Sequence, residues 1–445
     1  MKKKILLALL IVVILLGAGG AYAYFSTDVF KSDKEIFLSH ILKDNMFSNL
    51  QDEKLAEYIE KQENTAYTNK GEISAKVNGD DNLGLTEDII EMLNKSKITF
   101  EGKTDNSKKI AEQTITADLS QGFNIPISYK RYEDVFGIQS DFLDSKYIAV
   151  RNENLKALLE KFNIDSEDIP DKIEISKEQF TQNELKTLQK KYVTILNDNL
   201  EDDLFSKEKV SGQTVVTLKM SEEKCVDILN KILETAKEDE ILLSKMSEAY
   251  QEDFKQQLDE IIEELKEIET TESNVAEIRI YIESKSMQKL EVAMLEDDTT
   301  AIYITIENAT NQTTIKIYEE ETLVVEFSIL KETSGNDLSY TIQIKADPEE
   351  ENTEVSLKIQ YNNLSALDNI EENYEVKLSY EAPSVNSNFS KETTEVSINY
   401  KNLKTFSSNV EIEELNSDNS TILNDATDEE MQDLIMSIYR NLGLM

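Results

Sequence analysis

Between residues 276 and 400 the chain repeats one device nine times: apolar side chains, each separated from the next by a polar one. The runs are Ile278/Ile280/Ile282, Leu290/Val292/Met294, Ile302/Ile304/Ile306, Ile315/Ile317, Leu323/Val325/Phe327, Tyr340/Ile342/Ile344, Val355/Leu357/Ile359, Tyr374/Val376/Leu378 and Val396/Ile398/Tyr400. Successive side chains of an extended backbone point to opposite faces, so a period of two predicts a strand with one dry and one wet face. Short connections between the runs predict an antiparallel meander. Pro348 and Pro383 fall between the runs, where no ladder hydrogen bond is lost. A face this apolar needs a cover, because each side chain left in water forgoes roughly 1.5–3 kcal/mol.

The expected cover lies upstream. Residues 152–271 read as helical, interrupted by one strand at 214–220 after a Ser211-Gly212 turn. The best helix places Met246, Tyr250, Phe254, Leu258, Ile261, Ile262 and Leu265 on one stripe, with Glu252, Lys255, Asp259, Glu263, Glu264 and Lys266 on the other side. Residues 66–150 alternate again, at Ile73/Ala75/Val77, Ile98/Phe100, 110–119, 125–132 and 135–138. Turns are expected there at Asn78-Gly79-Asp80, Thr104-Asp105-Asn106 and Ser120-Gln121-Gly122. Residues 428–442 form a closing helix with Met431, Leu434, Ile435 and Ile438 on one side, and Thr427 and Glu430 stand at capping-box spacing.

Ahead of all this, Met1-Lys2-Lys3-Lys4 precedes residues 5–25, which carry no charge. At ~1.5 Å per residue that run matches the hydrocarbon thickness of a bilayer. Lysines before it and Asp28 and Asp33 after it keep the N-terminus inside and export the rest. Ala21-Tyr22-Ala23 also has the form of a signal-peptidase site, so anchor and cleavable leader both remain open. No cysteine lies near residue 20, which excludes a lipid-modified N-terminus. Residues 31–42 and 52–62 then show apolar residues at helical spacing and read as a short stalk, carrying the chain's single histidine, His40, in a solvated position.

The expected fold class is therefore α+β: an N-terminal transmembrane helix, then a large, strongly curved antiparallel sheet with helices packed on its concave face. The expected division is 1–25 anchor or signal, 26–65 helical stalk and 66–445 one large ectodomain. Within the ectodomain, 66–165 is a strand block with a helix, 166–272 a helical block, 273–412 the meander and 428–442 the last helix. An echo, Tyr361-Asn362-Asn363-Leu364 and Tyr400-Lys401-Asn402-Leu403, reads as a turn solution used twice.

Composition narrows the chemistry. Net charge is −41, and the residues beyond 25 hold 44 basic against 88 acidic side chains. Such a field repels nucleic acid and anionic lipid surfaces. One cysteine, Cys225, forbids an intramolecular disulfide and reads as a small buried hydrophobe. A single histidine builds neither a Ser-His or Cys-His centre nor, with one cysteine, a zinc site. Twelve glycines, three of them in the apolar leader, form no phosphate-cradling loop. Oxygen clusters at Asp80-Asp81-Asn82, Glu201-Asp202-Asp203, Asp297-Asp298 and Glu349-Glu350-Glu351 lack the spacing of a tuned calcium loop. With 88 acids close carboxylate pairs arise by chance, so none stands out as a glycosidase pair. No residue is assigned a catalytic, cofactor-binding or metal-ligating role, and no cofactor is expected.

Two stretches, Tyr24-Phe25-Ser26-Thr27-Asp28-Val29-Phe30-Lys31-Ser32-Asp33-Lys34 and Lys146-Tyr147-Ile148-Ala149-Val150-Arg151-Asn152-Glu153-Asn154-Leu155-Lys156, resemble an uncharacterised family of membrane-anchored ectodomains, a domain of unknown function, from Gram-positive bacteria. That resemblance implies an anchor that is kept and no known activity. The order of sheet and helices also looks like the half-barrel of bacterial lipoprotein-carrier proteins, at the level of fold only. Together these imply a non-enzymatic scaffold or binding protein held in the plasma membrane by one pass, ectodomain outside, or secreted after cleavage near Ala23. The expected partners are the bilayer, through residues 5–25, and an apolar ligand or an envelope protein. The alternatives are a carrier of lipid or another hydrophobic ligand with a cavity under the curved sheet, and a carboxylate-based glycan hydrolase.

Overall fold

A computed structural model describes residues 32–43, 46–78, 86–119, 123–161, 171–172, 180–246, 248–268, 270–296, 299–346, 353–383, 391–441 and 443. The described helices are α1 (Asp33–Lys43), α2 (Glu53–Asn64), α3 (Glu87–Lys95), α4 (Leu155–Lys161), α5 (Gln182–Asn199), α6 (Glu222–Lys237), α7 (Glu240–Ser244), α8 (Glu248–Lys266) and α9 (Asp428–Asn441). The strands are β1 (Tyr67–Asn78), β2 (Lys97–Asp105), β3 (Ile110–Leu119), β4 (Phe123–Tyr132), β5 (Val135–Ser140), β6 (Asp144–Arg151), β7 (Phe205–Val210), β8 (Gln213–Ser221), β9 (Asn274–Glu283), β10 (Ser286–Glu296), β11 (Thr299–Asn308), β12 (Gln312–Glu319), β13 (Thr322–Ser334), β14 (Asp337–Ala346), β15 (Thr353–Asn362), β16 (Asn369–Pro383), β17 (Lys391–Phe406) and β18 (Ser420–Ile422). The class is α+β, with extensive and chiefly antiparallel strand pairing, as expected, and the nine alternating runs are the nine strands β9 to β17. Two compact units result: Met1–Gln51, Glu174–Leu330 and Ile344–Asp347 in the first, and Asp52–Ile173, Lys331–Gln343 and Pro348–Met445 in the second. They cut across the linear division read from the sequence.

In the first unit β7 and β8 form a hairpin whose turn residues, Ser211 and Gly212, both have positive φ, the tight geometry that matches strand twist. The ladder continues antiparallel from β8 through β9, β10, β11 and β12 to β13. Register stacks Leu218, Ile278, Val292, Ile304, Ile317 and Val325 in one row across the strands, and Val216, Ile280, Leu290, Ile306, Ile315 and Phe327 in the next. Onto this face the helices pack Ile36, Phe37 and Ile41 from α1, Val193 from α5, Val226, Ile228, Leu229 and Ile232 from α6, and Leu265 from α8. The cover starts sharply because α5 opens with a capping box: Glu184 N–H donates to Thr181 Oγ1 at 3.2 Å and Thr181 N–H to Glu184 Oε2 at 2.7 Å.

The second unit is ordered differently. Its ladder runs β6–β5–β4–β3–β2–β1–β17–β16–β15, antiparallel throughout, with β18 added in parallel on β6. The first strand thus sits between the second and the seventeenth, which brings residues far apart in sequence side by side. Helix α2 buries Tyr58 against Leu338, Leu364 and Ile370. Helix α3 is tied on by Asn94, whose side chain exchanges hydrogen bonds with the Val77 backbone at 2.7 and 3.0 Å. The expected capping box at Thr427 and Glu430 starts α9.

Several expectations need correction. Helix α1 is no stalk: Ile36, Phe37, Leu38 and Ile41 are buried, and His40 with them rather than solvated. A stalk helix and a core helix present the same spacing, and only the partner distinguishes them. Residues 152–271 hold a hairpin, not one strand, since β7 carries mostly polar, exposed positions that show no alternation. On α8 only Leu258, Ile262 and Leu265 are buried among the stripe read from sequence, while Tyr250 and Ile261 face solvent. The sequence echo is not one turn used twice: Asn363 adopts the left-handed turn conformation, but 400–403 continue inside β17, paired to β1 and β16 on both sides. The largest correction concerns the cover, which reaches β8 to β11; among the described residues Val376 and Leu378 on β16 and Ile398 on β17 stay well exposed.

The apolar run 5–25 and the Ala21-Tyr22-Ala23 motif lie outside the described residues, as do the turns at 79–80 and 120–122 and the clusters at 80–82, 297–298 and 349–351. Among the described residues no helix is long and apolar enough to cross a membrane, which says nothing of strands.

Candidate ligand-binding face

Register places one continuous apolar face across the second unit. Ile359, Tyr374, Tyr400, Ile73, Ile98, Ala117 and Ile125 form a row from β15 to β4, and beside it run Leu357, Val376, Ile398 and Ala75. A third row contains Phe100, Ile115 and Ile127. These are core residues by type, yet Ile98 and Ile115 are each 39% exposed, Ile127 42%, Val376 41% and Ile398 48%. A face of this extent left in water marks a binding surface more often than a packing failure.

Along the strands the same face turns polar. The positions after Ile73 toward the start of β1 are Gly71, Asn69 and Tyr67, opposite Asn402, Lys404 and Phe406 on one side and Phe100, Gly102 and Thr104 on the other. Here a cavity of about 390 Å³ opens, lined at its apolar end by Ile73, Ile98, Phe100, Ile115 and Tyr400 and at its polar end by Asn69, Thr104, Gln113, Asn402 and Lys404, with Tyr67. That volume falls in the range of small-ligand sites. Gly71 makes the wall possible: the Phe100 ring lies over it, and a side chain there would collide with that ring and with the Lys401 carbonyl oxygen. Freed to lie flat, Phe100 stacks on Tyr400 with centroids 5.4 Å apart, and Tyr400 on Tyr374 at 5.1 Å.

The polar end rests on a buried ion pair. Glu372 accepts from Tyr58 Oη at 2.6 Å, from Asn402 Nδ2 at 2.9 Å and from Lys404 Nζ at 3.1 Å, and Lys404 also donates to Gln62 Oε1 at 3.0 Å. Tyr58 and Tyr67 place their rings 5.5 and 5.6 Å from the same ammonium. Desolvating two charges is costly, and the pair holds because Glu372 has three donors and Lys404 two acceptors and two rings. The charges cancel within the pair. One atom is left over: Asn402 Oδ1, on a side chain 2% exposed, has no hydrogen-bond partner. Such an orphan acceptor costs about 1–3 kcal/mol unless something donates to it.

Burial, then the nearby Glu372 charge, pushes the Tyr400 phenol up to about 12, and burial raises Tyr374 and Tyr58 further. All three stay neutral at physiological pH. The lining therefore offers carboxamides, hydroxyls, a neutralised ion pair and apolar walls, a set suited to holding a molecule. None of these residues was assigned a binding role from the sequence. The signal lay in the breaks of alternation: Asn69 stands between Tyr67 and Gly71, Gln113 between Ala111 and Ile115, and Asn402 and Lys404 between Tyr400 and Phe406.

Elsewhere, Cys225 is buried on α6 and its thiol is pushed up to about 12 by burial, so it stays an unreactive hydrophobe. Glu201, from the one oxygen cluster that is described, pairs with Lys224 at 2.9 Å, and no group of metal-ligating side chains occurs among the described residues. A larger furrow of about 790 Å³ runs along α8 in the first unit, bordered by Glu252, Asp259, Glu260, Glu263, Glu264 and Glu267. It is the solvated flank of that helix.

No protein-family model and no curated protein matches the sequence. Among solved structures, a double mutant of the vaccine antigen transferrin-binding protein B from Haemophilus parasuis Hp5 aligns over 76% of each chain, at 10% identity and a TM-score of 0.14. The OccAB3 protein of Acinetobacter baumannii aligns with 76% of this chain and 99% of its own, at 7% identity and 0.15. A BenF-like porin from Pseudomonas fluorescens Pf-5 covers 77% and 99%, at 7% identity and 0.14. Likeness at this level fixes neither fold nor activity.

Proposed function

We propose that this is a non-enzymatic, extracytoplasmic binding protein, tethered to the plasma membrane by residues 5–25, that holds an apolar ligand on the uncovered sheet face of its second unit. The observation that carries this reading is the bare apolar face running into a cavity with a built polar end. Lysines before an uncharged 21-residue run, and the resemblance of 24–34 and 146–156 to Gram-positive membrane-anchored ectodomains, support the retained anchor. Strong curling of the sheet toward this face, which a long antiparallel ladder favours, would wall the ligand in. The hydrolase alternative gains nothing here, because Glu372 is tied to three donors and is not among the residues lining the cavity.

The test uses the full chain in phosphatidylcholine vesicles with a photoactivatable long-chain hydrocarbon, the labelled peptides being mapped by mass spectrometry. Label is expected in β1, β2 and β17 as well as in residues 5–25. Ile98→Asp with Ile115→Asp, both at exposed positions, is expected to cut the strand label about tenfold while leaving the leader label unchanged, the loss of ~1.4 kcal/mol of affinity. Label confined to residues 5–25 overturns the reading, and crosslinks from this face to another envelope protein would replace the ligand with a protein partner.

A further inference from the structure

The two ends of the cavity differ enough to specify what fills it. We propose that the ligand is an uncharged amphiphile of the monoacylglycerol type, with a single acyl chain on the bare rows and a hydroxyl-bearing head at the polar end. This rests on the preceding reading and deepens it.

Three observations converge on that chemistry. First, the apolar end is open toward more apolar surface: beyond Ile73 and Tyr400 lie Ala75, Ile398, Val376 and Leu357, so a chain longer than the cavity continues onto dry side chains. Second, the polar end has no charge to offer. Lys404, the cation of its lining, is already held by Glu372 and Gln62, so an anionic head competes with Glu372 and meets a chain of net charge −41, while a cationic head meets that ammonium. Third, the polar end is lined by the carboxamides of Asn69, Gln113 and Asn402 and the hydroxyl of Thr104, groups that both donate and accept. A hydroxyl-bearing head matches such a lining, because an O–H also donates to one partner and accepts from another. A carboxylate, acceptor only, would leave the amide oxygens without a donor.

Two photoprobes with the same diazirine-bearing chain decide the matter, one esterified to glycerol and one a free fatty acid. Both are added to the full chain in phosphatidylcholine vesicles, at a pH where the free acid is ionised. The glycerol ester is expected to label β1, β2 and β17 peptides about tenfold more than the acid, with both labelling residues 5–25 alike, a difference equivalent to one satisfied hydrogen bond. Asn69→Leu with Gln113→Leu, at half-buried positions, is expected to bring the two probes within about twofold of each other. Asn402→Leu should do the same, and the pair at 69 and 113 serves where loss of the Glu372 contact unfolds the site. Equal strand labelling by both probes overturns the proposal and leaves apolar binding intact, and stronger labelling by the acid assigns Lys404 to a carboxylate. Absence of strand label with either probe sinks the binding reading itself.

Discussion

The same pattern of alternating apolar residues ends in two opposite states. On the first unit's sheet Ile280 is 0% exposed beneath α1, α5, α6 and α8, and on the second unit's sheet Ile398 is 48% exposed, with none of the described helices burying it. Both sit at the centre of strands paired on each side, so neither propensity nor pairing separates them. What differs is the supply of helices: the long amphipathic ones of 182–266 pack on β8 to β11. In the second unit, α2 covers the end around Tyr58 and Ile370, α3 packs on β1, where Val77 is buried, and α9 meets β6. An exposed apolar face that runs into a polar end is the arrangement on which the proposed binding role rests.

The contrast is sharpest under charge insertion. Ile280→Asp is expected to cost more than about 4 kcal/mol and to unfold the first unit, because the carboxylate has no partner there. Ile398→Asp should change stability by less than about 1 kcal/mol, since its side chain already meets water. Hydrogen exchange resolved by peptide in the full chain reads both, and similar losses would erase the distinction.

Next in size is Lys404→Met, which strands Glu372 in a buried site and should cost about 3 kcal/mol, localised to β1, β16 and β17. Lys404→Met combined with Glu372→Leu is expected to recover most of that loss, which shows that the pair is held for its polar end rather than for net stability.

Alkali should separate the units more gently. A phenol whose folded pKa is raised keeps its proton after the unfolded chain has released it near 10. Its contribution is therefore intact below about 10 and fades as pH climbs toward the folded value, about 12 for Tyr400. Tyr58, Tyr67, Tyr361, Tyr374 and Tyr400 are all raised mainly by burial, so protection in β1, β16 and β17 is expected to fall above about pH 10. Strand β9, which holds one such phenol, Tyr281, should lose less protection, and equal loss would contradict it. The smallest effect is expected from Tyr250→Ala on the solvent side of α8, within about 0.5 kcal/mol in thermal unfolding.

Much of the fold was legible because alternation is a local signal. Ile278, Val292 and Ile304 announce their strands without help, and Thr427 and Glu430 announce the start of α9. What depends on distant partners was not legible. The polar residues of the site, Asn69 on β1, Gln113 on β3 and Lys404 on β17, become neighbours only because β1 inserts between β2 and β17, and a sequence carries no mark of that pairing. The stalk and the fully covered ladder failed for the same reason, since a helix stripe records that it needs a partner and not which one.

Side-chain footprinting with hydroxyl radicals, on the full chain in phosphatidylcholine vesicles with and without monoacylglycerol, addresses the central contrast directly. Ile98, Ile115 and Ile398 should oxidise readily in the absence of the amphiphile and become several-fold slower in its presence, while Ile280 and Val292 stay protected in both. Equal protection of the two sets before anything is added, unchanged afterwards, would mean that the second face is covered after all and that no ligand is held there.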